Sequence, residues 1–557
     1  MKKNIFVVFM LCLSIIVMAG CSTGSTPVTE EEPPAAEGVT TTGSRDSIVR
    51  LTADSTPILD PATHAGNASS IAYCNLYDTL IFPEGDGVVP DLAESWTVNE
   101  EGTAYTFVLK QGVLFHDGSE FKASDVVFTA KRMITIGEGF AYLYSSIVED
   151  ITADDDYTVT FHLNSSNGPF VSTLARLYIL NEDLVMQHLE EGPYGEFGDY
   201  GKNWLLSNDA GSGPYKVAEL VQNDYFLADR YADWHMGWEG KDNAPEQFKI
   251  IYGFEPATVR TMMSTQTLEI TDMWQSPENL AAMDALEGVD LASYSTRLVQ
   301  NIFFNTSLAP TDDVNVRKAL SYLVDYDTLL DVAFTASIKP IGPVSNFTSG
   351  HVDTTEFSYN IEKAREYLAK SKYADTIGDY EIEFFYSGEG GSLEKVALSF
   401  QAACAEVGIN VKINKGPWTT TQERVSSADS TPHAVTINSG PQFNEAGATL
   451  ESQFHSKTAG TYENASWIAN DELDAKIEAA MATIDKDERY QKYADLQNYI
   501  VDELCPTAWI ADLVERVAYQ STYIDWPAAQ ATANGEIDAY LMGYPFFMPD
   551  ISIYTDK

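Results

Sequence analysis

The sequence predicts a mixed α/β fold spread over more than one domain, and three observations carry that prediction. The chain has 557 residues, 44% of them hydrophobic, more apolar material than one core usually organises. Segments with the two-residue period of half-buried strands alternate with segments of helical period. One stretch, "YEIEFFYSG", then "EKVALSFQAACAEVG", then "INVKINKG", reads as strand, helix, strand, the βαβ unit of a parallel sheet. No fixed-period repeat runs through the chain, which argues against solenoids and propellers.

Taken in order, the first element is a targeting segment. Lys2 and Lys3 precede an apolar run from Ile5 to Val17, followed by Met18, Ala19, Gly20 and Cys21. That run is too short for a membrane-crossing helix and suits the apolar centre of a signal peptide. Small residues just before a cysteine resemble the bacterial lipobox, although Met18 is an unusual residue at its place there. Residues 1–20 are therefore expected to be removed and the Cys21 thiol lipidated; the alternative is an ordinary cleaved signal with an incidental cysteine. Residues 21–45 are rich in Ser, Thr, Gly, Pro and Glu, cannot bury enough surface to fold, and read as a flexible linker. No later stretch reaches 18 uninterrupted apolar residues, so the body is expected to lie outside the membrane on its extracytoplasmic face.

Charge narrows the partners. The formal net charge of −48 becomes −50 once Lys2 and Lys3 are gone, so binding nucleic acid by counterion release is excluded. The acidic residues are spread along the chain, as solubility requires, and a preference for cationic ligands is the sharper alternative. Beyond Cys12 and Cys21 remain Cys74, Cys404 and Cys505, an odd and widely separated set that reads as buried small hydrophobes.

Within the body, "GTAYTFVLKQGVLF" places Tyr105, Phe107 and Leu109 on one face of a strand. "HDGS" is an Asp-Gly turn, and "FKASDVVFTAKRM" a helix with Ser124 as N-cap, Asp125 in the first turn, and Val126, Val127, Ala130 and Ile134 on one face. His116, Asp117, Glu120 and Asp125 crowd together here, but each carboxylate has a turn or cap to serve and the histidine lacks an oriented partner, so acid–base catalysis is not expected. "GSGPY" at Gly211 resembles a nucleophile elbow only superficially, because Gly-x-Ser-x-Gly is absent and Pro214 follows too closely; a Gly-rich turn entering the strand "YKVAEL" is expected. "VNVRKALSYLVDYDTLL" aligns Val316, Ala319, Leu320 and Leu323, and "NDELDAKIEAAMATI" aligns Leu473, Ile477, Ala480 and Ile484 behind Asn470 as cap. The eight histidines never approach a metal-ligand spacing, so no dedicated metal cage and no cofactor are expected. Aromatic residues make up 12% of the chain, and several stand in polar connections: Tyr142 and Tyr144, Trp274, and Trp418. A binding cleft wants such side chains, which offer apolar area at low entropic cost.

The segment "PDLAESWTVNEEGTAYTFVLKQGVLFHDGSEFKASDVVFTAKRM", Pro90 to Met133, closely resembles the signature region of the peptide/nickel family of extracytoplasmic solute-binding proteins that serve ABC importers. Further blocks follow in that family's order: "LDPATHAGNASSIAYCNLYDTLIF" before it, then "GSGPYKV", "NIFFNTSLAPTDDVNVRKALSYLVD", "YNIEKAREYL" and "EVGINVKINKGPW". The resemblance implies a two-lobed periplasmic-binding-protein-like fold. Residues 46–88, 212–294 and 522–557 would form the core of lobe 1, 89–211 an extra subdomain of it, and 295–521 lobe 2. Crossovers near Ser293 to Leu298 and Tyr519 to Ile524 would form a hinge.

The resemblance further implies a monomer that binds a solute and delivers it to ABC permease subunits. An oligopeptide is the first expectation for the ligand; an oligosaccharide or chelated metal is the second, and a secreted hydrolase the rival of another class. Carried over residue by residue, Tyr73, Tyr142, Tyr144, Arg176, Asn305, Trp418, Ser439 and Gln442 correspond to places near the ligand, and Trp274 joins them as a loop aromatic. Arg176 suits a ligand carboxylate through its planar fork; a surface pair with Glu182 or Asp183 is the alternative. One departure stands out. Peptide-binding members hold the peptide amine with an aspartate in the segment corresponding to His433 to Leu450, and none occurs here, leaving Asn438, Ser439, Gln442, Asn444 and Glu445 as the polar candidates.

Overall fold

The computed structural model describes residues 45–388 and 391–557. The signal peptide, Cys21 and the linker lie outside the described residues. Two sheets, each with its own hydrophobic core, build the two lobes.

The first lobe is organised on a sheet ordered Ile48–Ala53, Gln247–Tyr252, Tyr225–Arg230, Tyr215–Val221, with the first pair parallel and the others antiparallel. Ile270 bridges Leu51 on one side and Tyr519 on the other, joining this sheet to Glu515–Gln520, Val289–Ser295 and Asp538–Ala539. Entry into Tyr215–Val221 depends on Gly211 and Gly213. A Cβ on either would stand 1.9 Å from the Leu76 carbonyl oxygen or 2.6 Å from its carbon, so only glycine lets the two backbones meet.

An antiparallel sheet, Ala93–Val98, Ala104–Leu109, Thr158–Leu163, Val148–Asp155, forms the extra subdomain of this lobe and packs under the helix Ala123–Ile136. Tyr105, Phe107 and Leu109 are buried as their alternation requires. The helix is capped by Lys122 and not by Ser124. The Asp125 carboxylate turns back to accept the Lys122 backbone N–H (2.8 Å), a capping-box geometry, and also accepts the Glu182 N–H (2.9 Å).

The second lobe has a five-stranded sheet ordered Asn410–Gly416, Glu381–Ser387, Ala434–Ser439, Val299–Phe304, Thr507–Asp512. Glu381–Ser387 and Asn410–Gly416 run parallel on either side of the helix Gly391–Glu406 in sequence, the βαβ unit read from the pattern. Both faces are covered, so Val299–Phe304 and Thr507–Asp512 are buried at every residue. The helix Asp471–Met481 is capped by Asn470, which accepts the Leu473 N–H at 2.9 Å; Ile484 lies beyond its end and is exposed. Cys74, Cys404 and Cys505 are buried and free.

The chain passes between lobes at residues 296–298 and 513–514. The second passage comes earlier than expected, because Glu515–Gln520 pairs antiparallel with Val289–Ser295 and so belongs to the first lobe's sheet.

Candidate functional site

The lobes meet along a cleft, and a line of hydrogen bonds crosses it. Arg176 Nε donates to the Gln442 carbonyl (3.0 Å), Asn444 Nδ2 to the Gly85 carbonyl (3.0 Å) and Ser349 Oγ to the Asp86 carbonyl (3.1 Å). Further along, Ser166 Oγ donates to the Ala482 carbonyl (2.6 Å) and Gly168 N to the Met481 carbonyl (2.7 Å).

Two cavities lie within this cleft. The larger, about 930 Å3, is bounded by Phe82–Asp86, Arg297, residues 346–351 and the C-terminal segment around Tyr540 and Tyr544; its charge is carried by Glu84, Asp86, Asp538 and Asp550 against Arg297 and Lys486. The smaller, about 570 Å3, is lined from the first lobe by Tyr142, Ile147 and Thr173, and from the second by Gln442, Phe443, Tyr462 and Glu463. Size alone favours the first. The second has the composition of a small-molecule site, aromatic walls with a few convergent polar groups, and it holds Tyr142 and Gln442 of the expected residues.

Arg176 lines neither cavity and lies behind Gln442 in the wall of the smaller one. It is fully buried, with Nε on Gln442 O, Nη1 on Tyr178 Oη (3.3 Å) and on Met542 O (3.0 Å), and the Phe140 ring 5.1 Å away. Neither Glu182 nor Asp183 pairs with it, no carboxylate of the described residues does, and Nη2 has no partner. A buried guanidinium with a free edge is costly to leave so, and it is chemically matched to an incoming carboxylate. Tyr142 sits on the short turn Ala141–Leu143 with half its surface open to the cavity. Opposite, Tyr462 lies edge-on to Trp418 with ring centroids 5.5 Å apart, so Trp418 backs the wall without lining the cavity. Glu463 accepts a hydrogen bond from Tyr462 Oη (3.4 Å), and burial pushes its carboxyl up to about 7.

The remaining expected residues are occupied elsewhere. Tyr73 is buried with its hydroxyl on Asp60 O (2.9 Å), and Tyr144 with its own on Thr173 O (2.7 Å). Asn305 donates to Ala428 O and Thr431 O, and Ser439 Oγ accepts from Asn301 Nδ2. These four are internal braces. Trp274 is exposed, with its backbone N–H on the Asp272 carboxylate in the turn before the helix Pro277–Asp284, and lines neither cavity. Glu445 is buried and gripped by Arg489 (2.6 and 3.2 Å) and Tyr493 Oη (3.1 Å), which leaves it no capacity for a ligand amine.

Two clusters escaped the sequence reading because their members are far apart in the chain. His116 does have an oriented partner, Asp209 at 2.5 Å, with its other nitrogen on Gly213 O. Asp78, Asp91 and His235 also converge, with Nε2 at 3.1 Å from Asp91 and 3.5 Å from Asp78. Three such groups have the chemistry to hold a metal. Here Asp78 already accepts Ser212 Oγ and Trp234 Nε1, and Asp91 accepts the Thr79 N–H. Burial disfavours the imidazolium, but the two carboxylates outweigh it and push His235 up to about 9, so the cluster is an ion-pair network at neutral pH. Ser212 completes a Ser, His and carboxylate grouping by composition only. Its hydroxyl goes to the carboxylate, and all three lie in the first lobe's interior, away from the cleft.

Comparison with known proteins then gives a consistent result. The family described as "Bacterial extracellular solute-binding proteins, family 5 Middle" matches residues 87–461. The chain is 27% identical over 478 residues to the probable D,D-dipeptide-binding periplasmic protein DdpA of Escherichia coli, covering 82% of this chain and 87% of that one. Among solved structures it resembles the ABC transporter substrate-binding protein CtaP of Listeria monocytogenes, with a TM-score of 0.77 at 19% identity over 91% and 99% of the two chains. It also resembles DppA of Helicobacter pylori in complex with the peptide STSA, with a TM-score of 0.74 at 20% identity over 92% and 98%.

Proposed function

The chain belongs to the bacterial extracellular solute-binding proteins of family 5, and from that premise we propose that it captures a short peptide in the smaller cleft cavity and presents it to an ABC permease. It is a binding protein and not an enzyme, and it acts outside the cytoplasm. The observation that carries the ligand reading is Arg176. Its unpartnered Nη2, buried behind Gln442 in the wall of the smaller cavity, is matched to a carboxylate, and a peptide C-terminus supplies one. Tyr142 from one lobe and Tyr462 from the other supply apolar area to which side chains of varied shape adapt. Peptide-binding relatives of similar length support the same class. Binding needs no covalent step: a ligand touching both lobes stabilises the arrangement in which they meet, and the permease reads that arrangement.

Cys21 is proposed as the lipid attachment that keeps a monomer at the outer face of the cell membrane, with residues 21–45 as tether. Among the described residues no helix is long and apolar enough to cross a membrane. Mass spectrometry of solute released from freshly purified protein by mild denaturation tests the ligand class; peptides of a few residues are expected, and an oligosaccharide or metal chelate would replace this reading. Cys21→Ser is expected to move the protein from the membrane fraction to the soluble one, and persistence there at high salt would refute the anchor.

A further inference from the structure

The cluster of Asp78, Asp91 and His235 leaves one charge and one direction unaccounted for. Its side chains are 5 to 7% exposed, and among the described residues no Lys or Arg pairs with either carboxylate. Two carboxylates against one imidazolium leave a negative charge buried, which is costly to hold. Hydrogen bonding by the ring does not settle it. His235 Nε2 lies 3.1 Å from Asp91 Oδ1 and 3.5 Å from Asp78 Oδ2, yet it makes no hydrogen bond to either, so it points between the two oxygens. The carboxylates themselves are held from behind: Trp234 Nε1 (3.1 Å) and Ser212 Oγ (2.8 Å) donate to Asp78, and the Thr79 N–H (3.2 Å) donates to Asp91 Oδ2. The cluster stands at the base of the hairpin formed by Ile81–Glu84 and Gly87–Pro90. Asp78 precedes its first strand, Asp91 follows its second, and His235 comes from the turn closed by the Gly237 N–H on Trp234 O. The tip of that hairpin, Gly85 and Asp86, accepts the hydrogen bonds of Asn444 and Ser349 from the second lobe.

We propose that Asp78, Asp91 and His235 bind one zinc-type divalent metal ion per chain, which braces the base of the hairpin that the second lobe grips. Tetrahedral zinc with N and O ligands at about 2.0–2.2 Å sets neighbouring donor atoms roughly 3.4 Å apart, and the two separations from Nε2 fall on either side of that value. All three donor atoms lie within 4.8 Å of one another, which no other such group among the described residues achieves. One imidazole with two carboxylates is a donor set for zinc and its neighbours, whereas Mg2+ and Ca2+ take oxygen ligands. A divalent ion beside a neutral imidazole brings the cluster to zero net charge, which a proton on His235 does not do. The groups donating to the rear of both carboxylates are the orienting partners that ligating carboxylates keep. A fourth position is left for water, next to a turn whose Asp233 and Met236 are exposed and open a path for entry.

The probe is zinc chloride, titrated into the mature, untagged protein after dialysis against a chelator. Calorimetry is expected to give one zinc ion per chain, with a raised melting temperature and with hydrogen exchange slowed in residues 79–92 and 232–237; magnesium chloride at the same concentration is expected to do none of this. Asp91→Asn leaves Asp78 and His235 as a balanced pair. Metal-free, it is expected to melt at or above wild type, while its zinc affinity falls at least about 100-fold, since a lost ligand costs no less than a lost orienting partner. Ser212→Ala removes an orienting donor alone and is expected to cost about 10-fold. The assignment is overturned if wild type binds no zinc, if folded Asp91→Asn binds it as tightly as wild type, or if zinc slows exchange only in other segments, which would put the ion among the acidic groups elsewhere on the chain. The exchange measurement is made on wild type, so it decides the matter even where a variant fails to fold.

Discussion

Arg176 and Glu445 show how differently two buried charges are used. Arg176 faces only neutral acceptors and keeps a free edge, so Arg176→Met is expected to weaken tripeptide binding roughly 30-fold or more while leaving the melting temperature unchanged or raised, because a buried charge without a counter-ion costs stability. Calorimetry beside a thermal melt reads both. Glu445 is fully committed to Arg489, so Glu445→Gln is expected to lower unfolding free energy by about 3 kcal/mol in urea titrations, with tripeptide affinity of the folded protein unchanged. Sequence reasoning alone suited Arg176 to a ligand carboxylate but left Glu445 among the candidates for a ligand amine, because the partner Arg489 lies on a different helix and no spacing announces it. Trp418 belongs at this scale too. Standing behind Tyr462 and not in the cavity, it is expected to cost about 1 kcal/mol of binding on change to alanine, in the range for an aromatic pair contact and below the value for a buried anchor. Tyr142 and Gln442, carried over by family resemblance, line the smaller cavity. Glu463 gave no signal, since a glutamate in a polar loop looks the same whether it faces solvent or a cleft.

At the scale of elements, periodicity carried the reading and failed where a boundary depends on a partner strand. The βαβ unit, the strand ending at Leu109 and the Asn470 cap all follow from local pattern. The N-cap of Ala123–Ile136 moved to Lys122 because Asp125 caps by reaching back, and the second crossover moved because only pairing with Val289–Ser295 reveals where Glu515–Gln520 belongs. That segment carries two buried carboxyls beside the crossing. Asp512 and Glu515 flank the crossing, and burial pushes them up to about 6 and about 7. Their partners are hydroxyls and amides, Ser345 and Asn346 for one and Thr296 for the other. Because both values are raised on folding, the folded state holds protons that the unfolded chain releases. The associated stability is complete below the ordinary carboxylate range and is lost as pH climbs through 6 and 7. Melting is therefore expected to be highest near pH 5 and lower at pH 8. Glu515→Gln should flatten that slope, recovering about 3 kcal/mol at pH 8 relative to wild type. An unaltered slope in the variant would place the titration elsewhere.

For the whole molecule, function depends on two lobes that touch at few points and turn about two short crossings. Their contacts are mostly single hydrogen bonds to backbone carbonyls, each worth about 1 kcal/mol net, so a ligand bridging Arg176 and the second-lobe wall has enough energy to shift the balance between apart and together. One residue gives this a direct test. Gly168, in the first lobe's extra subdomain, donates its N–H to Met481 O. A Cβ on it would stand 2.0 Å from Thr483 O and 2.7 Å from Arg489 Nη1 of the other lobe. Backbone at that distance cannot yield, so a side chain at 168 acts as a wedge set in the contact itself while touching no expected ligand residue. Gly168→Val is expected to fold normally, to show a larger radius of gyration by solution scattering than wild type in saturating tripeptide, and to bind that tripeptide at least about 10-fold more weakly. If the variant compacts on ligand addition as wild type does, with full affinity, contact between the lobes at this point is not part of capture, and the energetic link between closure and binding must be sought at the Arg176 to Gln442 bond instead.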